Sequence, residues 1–128
     1  MDTKERIMFK VLEGATAPTR ATRYSACVDL YANADVVIGA GETKIVPLGV
    51  KILPKQLLEF WITDEAISNN RIFNVEQEEE IIHNFLKSHF LELHPRSSLR
   101  AKGLIIGVGV IDLDYPDEIG LIVHNPLT

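Results

Sequence analysis

Two aspartates and a tyrosine lie within four positions of one another in the segment GVIDLDYPDEI, residues 109–119. Asp112 ends an apolar run, and Asp114 and Tyr115 follow directly. A carboxylate at the end of a strand can act as a general base toward water, and a tyrosine ring can pack against a sugar or a base. The same residue types are common in turns. The segment therefore predicts either one wall of an active site or ordinary turn chemistry.

Two other polar groups have the composition of a site for phosphate and metal. In the segment PRSSLRAKG, Arg96 supplies a planar cation, and Ser97 and Ser98 supply hydroxyls beside backbone N–H groups. By itself, this run is more typical of a polar surface loop. Asp29 lies inside the apolar segment ACVDLYA, where it is either a turn residue or a residue that holds a metal ion through water.

Composition and charge exclude several classes of protein. The chain has 128 residues, of which 46% are hydrophobic, so it predicts one domain with a core. A net charge of −5 argues against a nucleic-acid-binding face. No apolar run reaches the roughly 18 residues of a membrane span, and the N-terminus lacks a signal peptide. We expect a protein that is not secreted, located in the cytoplasm, or in the nucleus or host cytosol for a viral protein.

Short apolar segments separated by turn residues predict a mainly β fold, a sandwich or barrel rather than alternating β and α units. The predicted strands are IMFKVL, ACVDLYA, DVVI, TKIVPLGVKIL, LLEFWIT, LIIGVGVI and DEIGLIVHN. Pro116 at the second position of Tyr115–Glu118 predicts a tight turn between the last two strands, which would make them a hairpin supported by Asp114. The single Cys27 is predicted to be a buried, inert thiol.

One segment, NVEQEEEIIHNFLKSHFLEL at residues 74–93, predicts a helix instead. Asn74 can cap it, and Gln77 completes a capping box. Apolar residues recur at steps of three and four and form one stripe. The members of this stripe are Val75, Ile82, Phe85, Leu86, Phe90 and Leu93.

Acidic residues lie along the same helix. Glu76, Glu79 and His83 on successive turns could hold a metal ion, but a solvated acidic face is the favoured interpretation. We interpret residues from about 64 to 92 as a helical insertion into a single β domain that spans residues 1–128.

The segments SACVDLYA, VPLGVKILP, PRSSLRAKG and GVIDLDYPDEI, in this order, resemble the trimeric dUTPase family. The first three motifs of that family read roughly A-G-Y-D-L, P-R-S-S-L-A-x-K-G and G-V-I-D-x-D-Y-R-G-E-I. The resemblance covers about residues 8–62 and 93–125. It implies a dUTPase-like jelly roll or β-barrel, a homotrimer, and Mg²⁺-dependent hydrolysis of dUTP to dUMP and pyrophosphate. That reaction limits uracil incorporation into DNA and supplies dUMP for thymidylate synthesis.

The resemblance also implies roles in the third motif. Asp112 matches the aspartate that activates the water attacking the α-phosphorus. Tyr115 matches the tyrosine that packs against the deoxyribose and leaves no room for a 2′-hydroxyl. The backbone of Gly109, Val110 and Ile111 would read the edge of uracil, whose acceptors and donor a strand can match.

The first and second motifs imply the contacts to the triphosphate. Arg96 and Ser97 match the pair that contacts the phosphate chain, with Ser98 close by. Asp29 matches the aspartate that holds the hydrated Mg²⁺. Cys27 and Val28 replace the usual Gly-Tyr of the first motif.

The family's fourth motif, G-D-R-I-A-Q, and its glycine-rich fifth motif do not occur within the 128 residues. Two interpretations stay open: a part of a longer enzyme, or a short relative that binds or regulates without efficient catalysis. The dCTP deaminases share the fold and an R-S-S loop and are a third alternative. They typically use a glutamate in a differently patterned hairpin, so the run VIDLDY argues against them.

Overall fold

The computed structural model describes residues 9–54, 59, 62, 63, 66 and 72–128. The elements whose bounds lie within them are β1 (Phe9–Val11), β2 (Thr43–Pro47), β3 (Val50–Ile52), α1 (Val75–Ser88), β4 (Phe90–Leu93), α2 (Ser97–Ala101), β5 (Gly109–Asp112) and β6 (Gly120–His124). The predicted mainly β fold is confirmed. None of the helices in this part of the chain is long and apolar enough to cross a membrane.

The strands pair antiparallel in three ladders, β1 with β3, β2 with β6, and β4 with β5. The register places Pro47 opposite Gly120 and Phe90 opposite Asp112. The strands β5 and β6 therefore belong to different ladders, and the predicted hairpin between them is wrong. Residues 113–119, which we call the crossing loop, carry the chain from one ladder to the other.

A cluster of buried apolar side chains lies at the centre of the core, and strands of all three ladders pack on it. Its fully buried members are Leu48, Val50, Ile52 and Ile119. Leu91 and Leu93 of β4 and Ile111 of β5 pack against this cluster. Since side chains alternate along a strand, Phe90 and Glu92 point to the opposite face. The core thus holds the β4·β5 ladder by one face and leaves its other face exposed.

The predicted strand TKIVPLGVKIL is broken at Gly49 into β2 and β3. Gly49 has a φ of +70°, and a Cβ there would lie 2.4 Å from the Cβ of Ala15. Only glycine adopts this conformation at little cost and also fits the space. The corner Leu48–Val50 wraps around Ile119, because Leu48 N donates to Ile119 O at 3.0 Å and Ile119 N donates to Val50 O at 2.9 Å.

Three other predicted strands differ from the structure. ACVDLYA contributes an isolated bridge, between Thr19 and Asp29, and DVVI lies outside the named strands. Most of LLEFWIT lies outside the described residues, but Glu59, Ile62 and Thr63 are helical. A short apolar run does not distinguish a strand from a buried helical segment by its pattern alone, which explains the error in LLEFWIT.

Helix α1 begins as predicted. Gln77 N donates to Asn74 Oδ1 at 2.8 Å and Asn74 N donates to Gln77 Oε1 at 3.0 Å, so the capping box is confirmed. The helix ends at Ser88, however, and the predicted continuation to Leu93 is wrong. Phe90–Leu93 pairs with β5, because its alternating apolar residues complete a β ladder on the core. Residues 64, 65 and 67–71 of the predicted insertion lie outside the described part of the chain.

Helix α1 packs loosely on the rest of the protein. None of its side chains is fully buried, although Ile82, Phe85 and Leu86 of the predicted stripe are half-buried. Its Glu76 and Glu79 are exposed. No group of three or more metal-ligating side chains comes together in the residues that the structure describes.

Cys27 is exposed, so the prediction of a buried thiol is wrong. It lies between the bridge partners Thr19 and Asp29, in a stretch without regular secondary structure. The apolar neighbours of Cys27 in the sequence do not form a strand on the core, and for this reason their pattern gave the wrong burial.

Candidate functional site

Asp29 and Arg96 are brought together although 67 positions separate them. Arg96 Nη1 donates to Asp29 Oδ2 at 3.0 Å. Asp29 is held by its backbone, which exchanges two hydrogen bonds with Thr19, at 2.7 and 3.1 Å. The side chain of Asp29 is 23% exposed and that of Arg96 is 67% exposed. Such an accessible pair adds little stability. The pair does place the Asp29 carboxylate beside the guanidinium of Arg96, in the candidate phosphate loop.

The segment RSS begins the short helix α2. Arg96 precedes the helix in an extended conformation, and Leu99 N donates to Arg96 O at 3.0 Å to close the first turn. Ser97 and Ser98 are exposed directly after Arg96. Two hydroxyls and one guanidinium are therefore accessible on a single short turn, as a phosphate-binding loop requires.

Asp112 lies at the end of β5, on the exposed face of the β4·β5 ladder. It faces Phe90 across the ladder and lies two residues from Val110, and both apolar side chains are more than half exposed. The backbone carbonyl of Asp112 accepts from Tyr115 N at 3.1 Å. The turn therefore closes over Asp112–Tyr115, and the predicted turn over Tyr115–Glu118 is wrong.

Turn chemistry explains an aspartate at this position, because aspartate is favoured at the first position of a turn. In that role its side chain usually accepts a backbone hydrogen bond. Within the part of the chain that the structure describes, the carboxylate of Asp112 makes no hydrogen bond or ion pair. The turn does not use this carboxylate, which leaves both oxygens free to accept a proton from water.

The crossing loop holds its functional side chains between two buried anchors. Leu113 and Ile119 are each only 2% exposed. Between them, Asp114 to Asp117 are exposed, with Tyr115 at 42%. Asp114, predicted to support a hairpin, instead lines an open cleft of about 370 Å³ with His83, Leu86 and Lys87 of α1.

Sequence reasoning missed Glu118 in the crossing loop. Its Oε2 accepts from Gly49 N at 2.9 Å, in a half-buried environment. Nothing in the local pattern distinguishes Glu118 from the neighbouring acidic residue Asp117, which is exposed. The partner lies 69 positions away, so the sequence carries no local signal for it.

The backbone of β5 is suited to reading a planar polar ligand. Gly109, Val110 and Ile111 pair with β4 along one edge. Alternate residues of an antiparallel strand direct their N–H and C=O groups away from the paired neighbour. Among the described residues β5 has a single strand neighbour, so its second edge offers both donors and acceptors.

The structure therefore assembles the predicted site residues in two groups. One group contains Asp29, Arg96 and Ser97, and the other contains Asp112 and Tyr115. Within the described residues, no hydrogen bond or ion pair joins the two groups.

Comparison with known proteins indicates which proteins the chain is similar to. A family model described as dUTPase matches residues 87–127, which run from the end of α1 through β6. Over 114 residues the chain is 29% identical to a deoxyuridine 5′-triphosphate nucleotidohydrolase of Candida glabrata. The alignment covers 88% of this chain and 58% of that relative.

Solved structures of two phage proteins are also similar. A mutant dUTPase from phage phi11 of S. aureus, described with a structural Mg(II) ion, superimposes with a TM-score of 0.62 at 20% identity. A mutant dUTPase of Staphylococcus bacteriophage 80alpha with dUpNHpp gives a TM-score of 0.62 at 19% identity. Each superposition covers 94% of this chain, and 60% and 54% of the respective phage proteins. The chain thus shares the fold of these proteins and spans less than two thirds of their length.

Proposed function

Since the chain belongs to the dUTPase family, we propose that it hydrolyses dUTP to dUMP and pyrophosphate. The observation that carries this proposal is the free carboxylate of Asp112 at the end of β5. It lies in the run GVIDLDY, inside the segment that the family model matches. A protein that only bound a nucleotide would gain nothing from an unpaired carboxylate at this position.

In this proposal Asp112 acts as the general base. Its carboxylate accepts a proton from water as the water oxygen attacks the α-phosphorus, and pyrophosphate leaves. General-base assistance of this kind contributes about 10²–10⁴-fold to the rate. The exposure of Asp112 leaves room for both the water and the α-phosphate.

The phosphate chain is bound by the other group of residues. Arg96 presents a planar fork of donors, which suits phosphate oxygens, and Ser97 and Ser98 add hydroxyl donors. The hydrogen bond of Arg96 to Asp29 orients the guanidinium before the substrate arrives. Developing negative charge on the phosphates is then stabilised by groups that are already in place.

Asp29 fits the site of a hydrated magnesium ion. Mg²⁺ usually retains several waters and is held by one or two carboxylates together with substrate phosphates. Asp29 offers one partly exposed carboxylate, of which Oδ2 bonds Arg96 and Oδ1 is available. A bound Mg²⁺ would neutralise charge on the triphosphate.

The uracil and the sugar are recognised at β5 and the crossing loop. The open edge of β5 at Gly109, Val110 and Ile111 matches the acceptor–donor–acceptor edge of uracil. Tyr115 is exposed beside Asp112, where its ring can pack against the deoxyribose and exclude a 2′-hydroxyl. Discrimination against UTP and dCTP follows from these two contacts.

We further propose a homotrimer, supported by the exposed face of the β4·β5 ladder. Phe90, Val108 and Val110 are exposed next to Asp112, and exposed apolar patches mark surfaces that bind a partner. A second copy that covered this face would bury these side chains and could bring its own Arg96 toward Asp112. The absence of a hydrogen bond or ion pair between the two groups in the described residues is consistent with a site completed between copies.

The direct test measures products from four nucleotides. The purified protein with Mg²⁺ should release pyrophosphate from dUTP much faster than from dTTP, dCTP or UTP. Binding of dUTP without turnover would support the regulatory alternative, and formation of dUTP from dCTP would support a deaminase. Equal turnover of UTP and dUTP would remove the role proposed for Tyr115.

A further inference from the structure

We propose that Glu118 is a positioning residue that fixes the crossing loop and thereby sets the preference for deoxyribose over ribose. The inference rests on the proposed function for its substrate, but its structural basis is independent. Glu118 does not touch the proposed substrate contacts and acts on Tyr115 through the backbone of the loop.

The corner Leu48–Val50 clamps the end of the crossing loop with three hydrogen bonds. Leu48 N donates to Ile119 O at 3.0 Å, and Val50 O accepts from Ile119 N at 2.9 Å. Between them, Gly49 N donates to Glu118 Oε2 at 2.9 Å. The three corner residues are thus bonded to Glu118 and Ile119 at the end of the loop. Of the three hydrogen bonds, the one from Gly49 to Glu118 is made by a side chain.

Gly49 makes this side-chain bond necessary. It is buried, and its N–H donates to the Glu118 carboxylate, whereas its neighbours Leu48 and Val50 are bonded to the backbone of Ile119. An unsatisfied buried N–H group is costly, so the corner is stable only with an acceptor at this position. A charged acceptor makes a stronger hydrogen bond than a neutral one.

The clamp determines where Tyr115 lies. Tyr115 and Glu118 are only three positions apart, which limits the span between their Cα atoms to about 10 Å. The exposed residues between them make no hydrogen bond to the core within the described part of the chain. The orientation of Tyr115 is therefore defined by the turn bond to Asp112 on one side and by the clamp at Glu118 on the other.

The experiment compares four variants in two measurements. The variants are Glu118→Ala, Glu118→Asp, Glu118→Gln and, as a control on the exposed neighbour, Asp117→Asn. The first measurement is hydrogen exchange at the backbone amides of Gly49 and Tyr115. The second is kcat and KM for dUTP and for UTP.

Glu118→Ala and the shorter Glu118→Asp should speed exchange at both amides by about 10-fold or more, because the hydrogen bond to Gly49 is lost. They should also lower kcat/KM for dUTP by about 10-fold and leave UTP nearly unchanged, so that the dUTP preference falls. Glu118→Gln retains an acceptor oxygen and should restore most of both properties. Asp117→Asn should behave as the wild-type protein.

An equal loss of kcat/KM for dUTP and UTP would overturn the proposal, since it would indicate a general loss of folded protein. Faster exchange at Gly49 with unchanged exchange at Tyr115 would overturn it as well. If the wild-type protein hydrolyses neither nucleotide, the proposed function fails, and joint exchange at both amides still decides whether Glu118 positions the loop. If Glu118→Ala does not fold, the comparison of Glu118→Asp with Glu118→Gln gives the same decision.

Discussion

The crossing loop and helix α1 are neighbours across one cleft, yet they are stabilised in different ways. The crossing loop has no regular secondary structure over residues 113–119, but Leu113 and Ile119 are almost completely buried. Helix α1 has an ideal capping box and 14 residues, but none of its side chains is fully buried. Regular structure and firm anchoring are therefore separate properties in this protein.

The difference indicates which region performs the chemistry. A site that must position a water and a sugar requires side chains held within a fraction of an ångström of their working geometry. The crossing loop can meet this requirement because its anchors lie in the core and its exposed residues lie between them. Helix α1 has no such anchor, and we interpret it as an addition to a β domain that folds without it.

Two deletions test this interpretation most severely. Removal of residues 64–88 with a short linker should leave a folded β protein and measurable turnover, because long surface insertions have a small thermodynamic cost. Removal of residues 64–92 should abolish turnover, since it also deletes three of the four residues of β4, among them Phe90, which pairs with Asp112. Circular dichroism and pyrophosphate release would distinguish the two proteins.

The contrast between the deletions is the informative result. If both proteins lose their β signal, helix α1 is part of the folding core and the comparison with the crossing loop fails. If both proteins retain turnover, β4 is not needed to position Asp112.

The next largest effect concerns Asp112, the last residue of β5 before the crossing loop. Asp112→Asn should lower kcat by about 10²–10⁴-fold with dUTP still bound, because the amide is nearly isosteric but cannot accept the proton. Asp114→Asn is the matched control, two residues away and exposed at the start of the crossing loop. Steady-state kinetics and a binding isotherm for dUTP would provide both quantities. An Asp112→Asn protein that retained more than about a tenth of the wild-type rate would disprove the role of Asp112 as base.

Anchoring itself can be measured by shortening one isoleucine in each region. Ile119→Ala should lower the free energy of unfolding by about 2–5 kcal/mol, the usual cost of such a cavity in a core. Ile82→Ala on half-buried α1 should cost less than about 1.5 kcal/mol, because part of its surface already faces water. Urea denaturation of the two variants gives both values. Equal losses would show that α1 is anchored as firmly as the crossing loop.

The difference between α1, whose start is set by local contacts, and the crossing loop, which is anchored by distant contacts, explains how much of the structure could be predicted from the sequence. The start of α1 follows from Asn74 and Gln77, which interact over three positions, so a local pattern was sufficient. The positions of Gly49 and Glu118 depend on a contact across 69 positions, and no local pattern encodes it. The end of α1 was misjudged for a related reason, since Phe90–Leu93 fits a helical stripe and becomes a strand only through pairing with β5.

The sequence suggested the members of the candidate site but not their arrangement. The order of the motifs identified Asp29, Arg96 and Asp112, and the contact of Asp29 with Arg96 agrees with a shared site. The sequence also predicted a hairpin turn centred on Pro116. The turn forms three residues earlier because Tyr115 bonds Asp112 and the next strand joins a different ladder.

The smallest effect tests whether α1 depends on its local signals. Asn74→Ala removes the acceptor that Gln77 N uses at 2.8 Å, which should destabilise the helix by about 1 kcal/mol. Asn84 is exposed in the middle of the same helix. The substitution Asn84→Ala should stabilise the helix, because alanine has the higher helix propensity. Hydrogen exchange along residues 75–88 should therefore become faster in the first variant and slower in the second. Turnover of dUTP should change in neither variant, since α1 holds none of the proposed site residues. A loss of turnover in Asn74→Ala that followed the loss of helix would show that α1 and the crossing loop are coupled through the cleft at Asp114.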